Sequence, residues 1–305
     1  MTKPELRLDA NRCNAGENVS GILTLPARCL LKKPTAFVIF EGQSHVEFLG
    51  SNGKHYKRLE RLLSDRVAVD CGEAANAKHA GLAGNDGERA MELRFSFQLP
   101  RNLPPTVNLG HGRIVYTCRG LVQTGGRGGR KLKSERQTLE VLQAFRKSEL
   151  GSDSPVIVRS EGRGGGWFRC DGGAGARVRL EVVLPDGHIC GGGGERLEVN
   201  VLVENGSGAP VVEISIQLLQ YAEMKAGKRH LVNKRRVAEQ VLSVDVQPGA
   251  SLDSAVQLEV PDDPELVCSF SSETWDLSYV LSVKACQFAA VNDLEIRIPL
   301  IFAGK

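Results

Sequence analysis

Residues Leu184–Met224, LPDGHICGGGGERLEVNVLVENGSGAPVVEISIQLLQYAEM, decide how the chain is read. Leu197, Val199, Val201 and Val203 alternate with Glu198, Asn200, Leu202 and Glu204, so four apolar side chains share one face of an extended segment. The turn-forming run Asn205-Gly206-Ser207-Gly208-Ala209-Pro210 separates this strand from a second alternation. There Val212, Ile214, Ile216 and Leu218 are spaced by Glu213, Ser215 and Gln217. Two half-buried strands joined by a short turn are the unit from which the rest is assembled.

The same order of signals occurs earlier in the chain. Gly16-Glu17 precedes Val19, Gly21, Leu23 and Leu25 on one parity, just as Gly194-Glu195 precedes Leu197, Val199, Val201 and Val203. Phe95-Ser96-Phe97-Gln98-Leu99-Pro100 is answered by Val256-Gln257-Leu258-Glu259-Val260-Pro261, and Ile114, Tyr116 and Cys118 by Leu277, Tyr279 and Leu281. Solenoid units run about 20 to 50 residues, so this far longer period predicts two copies of one domain in tandem. The 305 residues accommodate that count. The expected boundaries are residues 1–144, a Gly-, Ser- and Arg-rich connector over 145–166, and residues 167–305. Proline-punctuated strands, few helical patterns and closely spaced turn signals make the fold class all-β, with an immunoglobulin-like β-sandwich in each half.

Some stretches read less plainly. Ala36–Glu41, Gly42 and Ser44–Leu49 read as strand-bulge-strand, with Gly42 supplying the kink. Lys54–Val67 stays open between helix and strand, because Leu59, Leu62 and Leu63 have helical spacing. Cys71–Arg89 reads as a long polar surface loop.

Composition narrows the chemistry. The eight cysteines are scattered without a CxxC pair, and the first residues, MTKPELRLDA, hold no apolar leader, which points to a reduced cytosolic chain. No run approaches the roughly 18 to 20 apolar residues of a bilayer span, so membrane contact is expected to be peripheral only. Gly125–Lys131 lacks the Gly-Lys step and the strand-to-helix context of a phosphate loop, and Gly42-Gln43-Ser44-His45 lacks the second glycine of a nucleophile elbow. His188 and Cys190 share a strand face but have no second pair to complete a zinc site. No catalytic, cofactor or metal site is therefore expected, and the chain reads as a non-enzyme.

Charge, by contrast, is unevenly placed. The net +3 divides into +8 over residues 1–144 and −6 over 167–305, with the remaining +1 in the connector. A basic first half points to an acidic partner there. The candidate binding residues are Arg127, Arg130, Lys131, Lys133 and Arg136 in the loop Thr124–Arg136, with Lys3, Arg7 and Arg12 near the first strand. Guanidinium forks match carboxylate and phosphate geometry, and several on one surface would hold an acidic or phosphorylated tail. No aromatic side chain is interleaved with Arg127–Arg136, which disfavours nucleic acid.

One run carries a family resemblance. Phe95–Thr106 reads FxFxLPxxLPxT and is followed by His111–Cys118 as HGxIxYxC; together they resemble the N-domain signature of arrestins. The Gly16–Gly21 turn, the Val203–Ser207 turn, the Leu218-Leu219-Gln220 strand end and the closing Leu294–Leu300 strand are also similar to that family, and the arrestin-domain-containing (α-arrestin-like) proteins are the subgroup they resemble most. The resemblance implies two sandwiches and a non-enzymatic adaptor. Such an adaptor binds the cytosolic tails of receptors or transporters, links them to trafficking machinery, and is cytoplasmic or peripheral on plasma membrane or endosomes. The chain departs from the pattern in three ways. No segment follows Phe302-Ala303-Gly304-Lys305, so tail-borne clathrin or adaptin motifs are not expected. No PPxY is present, since Thr106-Val107 follows Pro104-Pro105, and the Gly191–Gly194 run lengthens a turn. The alternatives are a retromer-type endosomal sorting subunit and a structural scaffold subunit of a larger complex.

Overall fold

The computed structural model describes residues 3–26, 29, 34–71, 90–124, 130–143, 154–163, 177–191, 193–263, 265–288 and 293–303. The chain divides into two compact units, Met1–Gln143 with Lys225–Arg229, and Ala144–Met224 with His230–Lys305.

In the first unit the strands are β1 (Glu5–Leu8), β2 (Arg12–Asn14), β3 (Asn18–Pro26), β4 (Thr35–Leu49), β5 (His55–Val69), β6 (Ala90–Gln98), β7 (Val107–Leu109), β8 (Gly112–Gln123), β9 (Lys131–Lys133) and β10 (Gln137–Leu142). They form a three-stranded sheet, β1-β3-β6, and a seven-stranded sheet ordered β2-β10-β8-β4-β5, with β7 and β9 also on β8. Strict alternation turns Ala36, Val38, Phe40, Val46 and Phe48 of β4 and Ile114, Tyr116, Cys118 and Val122 of β8 inward, all buried. They meet the three-stranded sheet. Phe40 stacks on Phe97 of β6 with ring centroids 4.4 Å apart, and Leu23 of β3 fills the space a side chain at Gly120 would need.

The second unit repeats this order. Its strands are β11 (Val156–Arg163), β12 (Arg177–Leu184), β13 (Ile189–Cys190), β14 (Arg196–Asn205), β15 (Val211–Ala226), β16 (Arg229–Val246), β17 (Ser251–Glu259), β18 (Phe270–Ser271), β19 (Trp275–Gln287) and β20 (Leu294–Phe302). One sheet is β11-β12-β14-β17, and the other is β13-β20-β19-β15-β16 with β18 on β19. Without β9 and β11, the orders of the two units coincide strand for strand, including the parallel contacts β2–β10 and β13–β20.

Matching residues also make matching bonds. The Tyr116 hydroxyl donates to the Pro104 carbonyl and the Tyr279 hydroxyl to that of Val267, each at 2.7 Å and each twelve residues upstream. Gly16 and Gly194 both hold left-handed backbone, at φ 86° and 88°, where a Cβ is disfavoured. The amide of Leu99 donates to the Glu17 carbonyl, and that of Val260 to the Glu195 carbonyl, both at 2.9 Å. Two units that share order, turn conformation and buried hydroxyl bonds are built to one plan.

The structure settles one open stretch and departs from the sequence reading in two places. His55–Val67 belong to β5, and their helical spacing comes from a bulge. Gly42 pairs with Leu63 and Gln43 with Arg61, so Leu62 is an extra residue and the parity of β5 changes there. Leu59 consequently faces outward at 56 % exposure while Leu63 is buried. The bulge expected at Gly42 is present, with its extra residue on β5, and β4 itself runs on without a break. Its missing side chain matters, because a Cβ there would lie 2.5 Å from the Tyr116 ring. Val212, expected inside, is exposed because a register shift between Val211 and Glu213 turns Val211 inward in its place. Finally, the expected connector over 145–166 contains β11, all eight residues of which pair with β12. The β-branched run Val156-Ile157-Val158 favours a strand, against the flexible composition around it. Of the expected polar loop, residues 72–89 lie outside the described residues, as do Trp167 and Phe168.

Candidate functional site

Among the described residues, nine cations gather on the outer face of the seven-stranded sheet. β4 and β8 turn their even-numbered positions into the core, so odd-numbered positions of both point outward. On β8 these include Arg113 and Arg119. β5 runs beside β4 and adds Lys57, Arg61 and, past the bulge, Arg66, opposite Glu47, Gln43 and Ile39. β9 adds Lys131 and Lys133 opposite Gln123 and Leu121, and the β10 side adds Arg136 and Arg12. Against these nine stand the strand carboxylates Glu41, Glu47 and Glu140.

Each of those carboxylates already has a cation. Glu41 lies 3.0 Å from Arg119 and 3.4 Å from Arg136, Glu47 lies 3.7 Å from Lys57, and Glu140 lies 3.8 Å from Arg12. Arg66 takes another support: its guanidinium carbon sits 3.3 Å from the Phe37 ring centroid, which holds the planar group in place while leaving its donors toward solvent. Arg61, Arg66, Arg113, Lys131 and Lys133 are exposed and take part in no ion pair among the described residues. Between the β5 cations and those of β9, the floor carries Phe37, Ile39 and Leu121. With β4 and β8 intervening, the two basic rows are about 14 Å apart.

The residues singled out from sequence divide between the two sheets. Lys131, Lys133, Arg136 and Arg12 belong to this face, and Arg130 is exposed where the strand begins, its amide donating to Thr124 Oγ1 at 2.9 Å. Lys3 and Arg7 are exposed at the start of β1 and on it, in the three-stranded sheet, so the face does not include them. Arg127 lies outside the described residues. Sequence reading missed Lys57, Arg61, Arg66, Arg113 and Arg119. The alternation of Arg113, Val115, Thr117 and Arg119 was a usable signal, whereas the β5 cations were obscured by the bulge.

The second unit provides an internal comparison. On the corresponding sheet face Arg236 pairs with Glu239 at 2.7 Å and Arg297 with Glu295 at 2.9 Å, while Lys284 stands opposite Glu295. Its four-stranded sheet carries a ladder in which Glu161 bonds both Arg177 and Arg179, Arg179 reaches Glu204, and Arg159 reaches Glu181. Hydrogen bonds from these arginines hold the Glu161 and Glu181 carboxyls below the usual carboxylate range. Those faces neutralise themselves, as ordinary surfaces do. The basic face of the first unit does not.

Four of the described thiols are poorly suited to nucleophilic chemistry. Burial raises Cys118 and Cys268 to about 12, and burial with nearby carboxylates raises Cys13 and Cys286 to about 11, so all four stay protonated near neutrality. Among the described residues no group of three or more His, Cys, Asp or Glu side chains is placed to hold a metal ion, and no helix is long and apolar enough to cross a membrane.

Residues 176–302 match the family model described as arrestin (or S-antigen), C-terminal domain. No curated protein matches the chain.

Proposed function

We propose that the chain is an arrestin-type, non-enzymatic adaptor, as the match of residues 176–302 to the arrestin C-terminal domain supports, and that it captures acidic or phosphorylated tails of receptors or transporters on the basic sheet face of its first unit. The observation that carries this reading is the excess, among the described residues, of nine cations over three strand carboxylates on one face, set against the charge-paired face of the second unit. In this reading the chain reaches membranes through its cargo and links that cargo to trafficking or signalling machinery. The α-arrestin-like subgroup is the relationship we favour, with the two units acting as separate domains.

Single exposed ion pairs contribute only about 0 to 1 kcal/mol, so capture depends on several cations engaging one tail at once. Binding should therefore be steep in salt. For the full chain and a labelled eight-residue peptide carrying four carboxylates or phosphoserines, raising salt from about 0.1 M to about 0.5 M shortens the screening length from about 10 Å to roughly 4 Å and is expected to remove most of the binding. A partner held by apolar burial, as in a scaffold subunit, would persist across that range, and persistence would refute the adaptor reading.

A further inference from the structure

β5 ends the order β2-β10-β8-β4-β5, so among the described residues its second edge has no paired strand. Which groups point to that edge follows from the hairpin at its start. The Gly50 amide donates to the Lys54 carbonyl at 2.9 Å, and the Glu47 amide turns away from β5 to the His111 carbonyl at 2.8 Å. Antiparallel pairs alternate between bonded and unbonded, so Tyr56, Arg58 and Glu60 direct their backbone bonds to β4, whereas His55, Lys57, Leu59 and Arg61 direct amide and carbonyl to the open edge. The side chains of these last four residues lie on the outer face and are exposed, Leu59 at 56 %. The run ends at the Leu62 bulge, where the parity of β5 changes and a regular added strand must stop. His55–Arg61 thus offers about 20 Å of edge.

An open edge is a template for pairing with another chain, and charge selects which chain can pair. Lys57 and Arg61 flank Leu59, two positions to either side. Two copies of this edge that match Leu59 to Leu59 set cation against cation in either strand direction, so a second copy is repelled. Arg61 stands opposite Gln43 and takes part in no ion pair among the described residues; Lys57 stands opposite Glu47, 3.7 Å away, on the side remote from the edge. An exposed leucine between two exposed cations calls for a strand that carries an apolar residue between two anions.

We propose that the free edge of β5 takes up an acidic tail as an added antiparallel strand, with Asp, Glu or phosphoserine opposite Lys57 and Arg61 and Leu, Val or Ile opposite Leu59. This deepens the acidic-tail reading and rests on it: the edge fixes one register, and the basic face meets whatever further negative charge the tail carries. Same-face residues recur every second position, so the recognised pattern is acidic-x-apolar-x-acidic. Main-chain bonds supply affinity and the three cross-strand pairs supply selection.

The test uses the full chain and fluorescence anisotropy at about 0.15 M salt, where the screening length is about 8 Å, with a labelled peptide whose core is Glu-Thr-Leu-Thr-Glu. Methylating the peptide's leucine amide, which faces β5 in this register, is expected to weaken binding by about tenfold or more, whereas methylating its first threonine amide, which faces solvent, should cost less than about threefold. Order matters as well: Glu-Glu-Leu-Thr-Thr, of the same composition and charge, should bind about tenfold more weakly. Lys57→Glu with Arg61→Glu should turn the preference toward Lys-Thr-Leu-Thr-Lys, and Leu59→Ser should weaken the original peptide by about threefold. Circular dichroism melts confirm that each variant is folded. The proposal is overturned if the two methylated peptides bind alike or if the reordered peptide binds as well as the first. Binding that ignores both changes and is lost on Lys131→Glu with Lys133→Glu keeps the basic face as the site and removes the edge, whereas failure of every acidic peptide to bind removes both. It is equally overturned if sedimentation shows a dimer that Leu59→Ser disperses, since the edge would then belong to a second copy.

Discussion

Replacing Arg66, Lys131 and Lys133 together by glutamate is expected to weaken binding of an acidic or phosphorylated peptide by about a hundredfold or more, through the loss of three attractions and the gain of three repulsions, each worth up to about 1 kcal/mol. The three positions are chosen because they are exposed and take part in no ion pair among the described residues, so reversal leaves the Glu41, Glu47 and Glu140 pairs in place. They also bracket the apolar floor, with Arg66 on β5 and the lysines on β9. Isothermal titration at about 0.1 M salt measures the change, where the screening length is about 10 Å. A loss under threefold would remove these side chains from the binding surface.

Phe40→Ala is expected to destabilise the first unit by about 3 to 5 kcal/mol, because a buried aromatic is replaced by a cavity that a stiff sandwich closes only in part. Phe40 is 1 % exposed and contacts both Phe97 and Phe95 of β6 across the interior. Over a unit of this size such a loss lowers the melting temperature by roughly 10 to 20 °C. Trp275, fully buried in the second unit, serves as a separate probe once the chain's other tryptophan is removed by Trp167→Phe. Circular dichroism should report an early transition in Phe40→Ala while Trp275 fluorescence melts at its unaltered temperature. Coincident shifts of both signals would mean that the two halves unfold as one.

Much of the fold was legible because apolar residues alternate and turns have particular chemistry. Leu197, Val199, Val201 and Val203 are buried along β14 as their spacing requires, and the turn glycines Gly16 and Gly194 have the positive φ for which glycine is suited. The FxFxLP run supplies Phe95 and Phe97 to the first unit's core and Leu99 to the bond with Glu17. Illegibility has a physical source as well. A bulge inserts one residue and reverses inside and outside beyond it, which is how Leu62 disguised β5 and how Val212 came to face solvent. β11 was concealed in a flexible composition, since its strand state depends on pairing with β12 and not on its own sequence alone.

The candidate site was legible only in part. Sequence placed Lys131, Lys133 and Arg136 together because they are neighbours in the chain. Bringing Arg66 and Arg119 beside them takes the β5-β4-β8 order, which is a long-range property. The same order puts Lys3 and Arg7 on the other sheet, although they are as basic as the rest.

The most direct measurement is to bind an acidic peptide carrying a photoactivatable group to the full chain, irradiate, and locate the adducts by mass spectrometry. Capture on the basic face predicts adducts on β5, β8 and β9, within His55–Val69, Gly112–Gln123 and Lys131–Lys133, that disappear when excess unlabelled peptide or about 0.5 M salt is present. Adducts concentrated between residues 177 and 303 would contradict it.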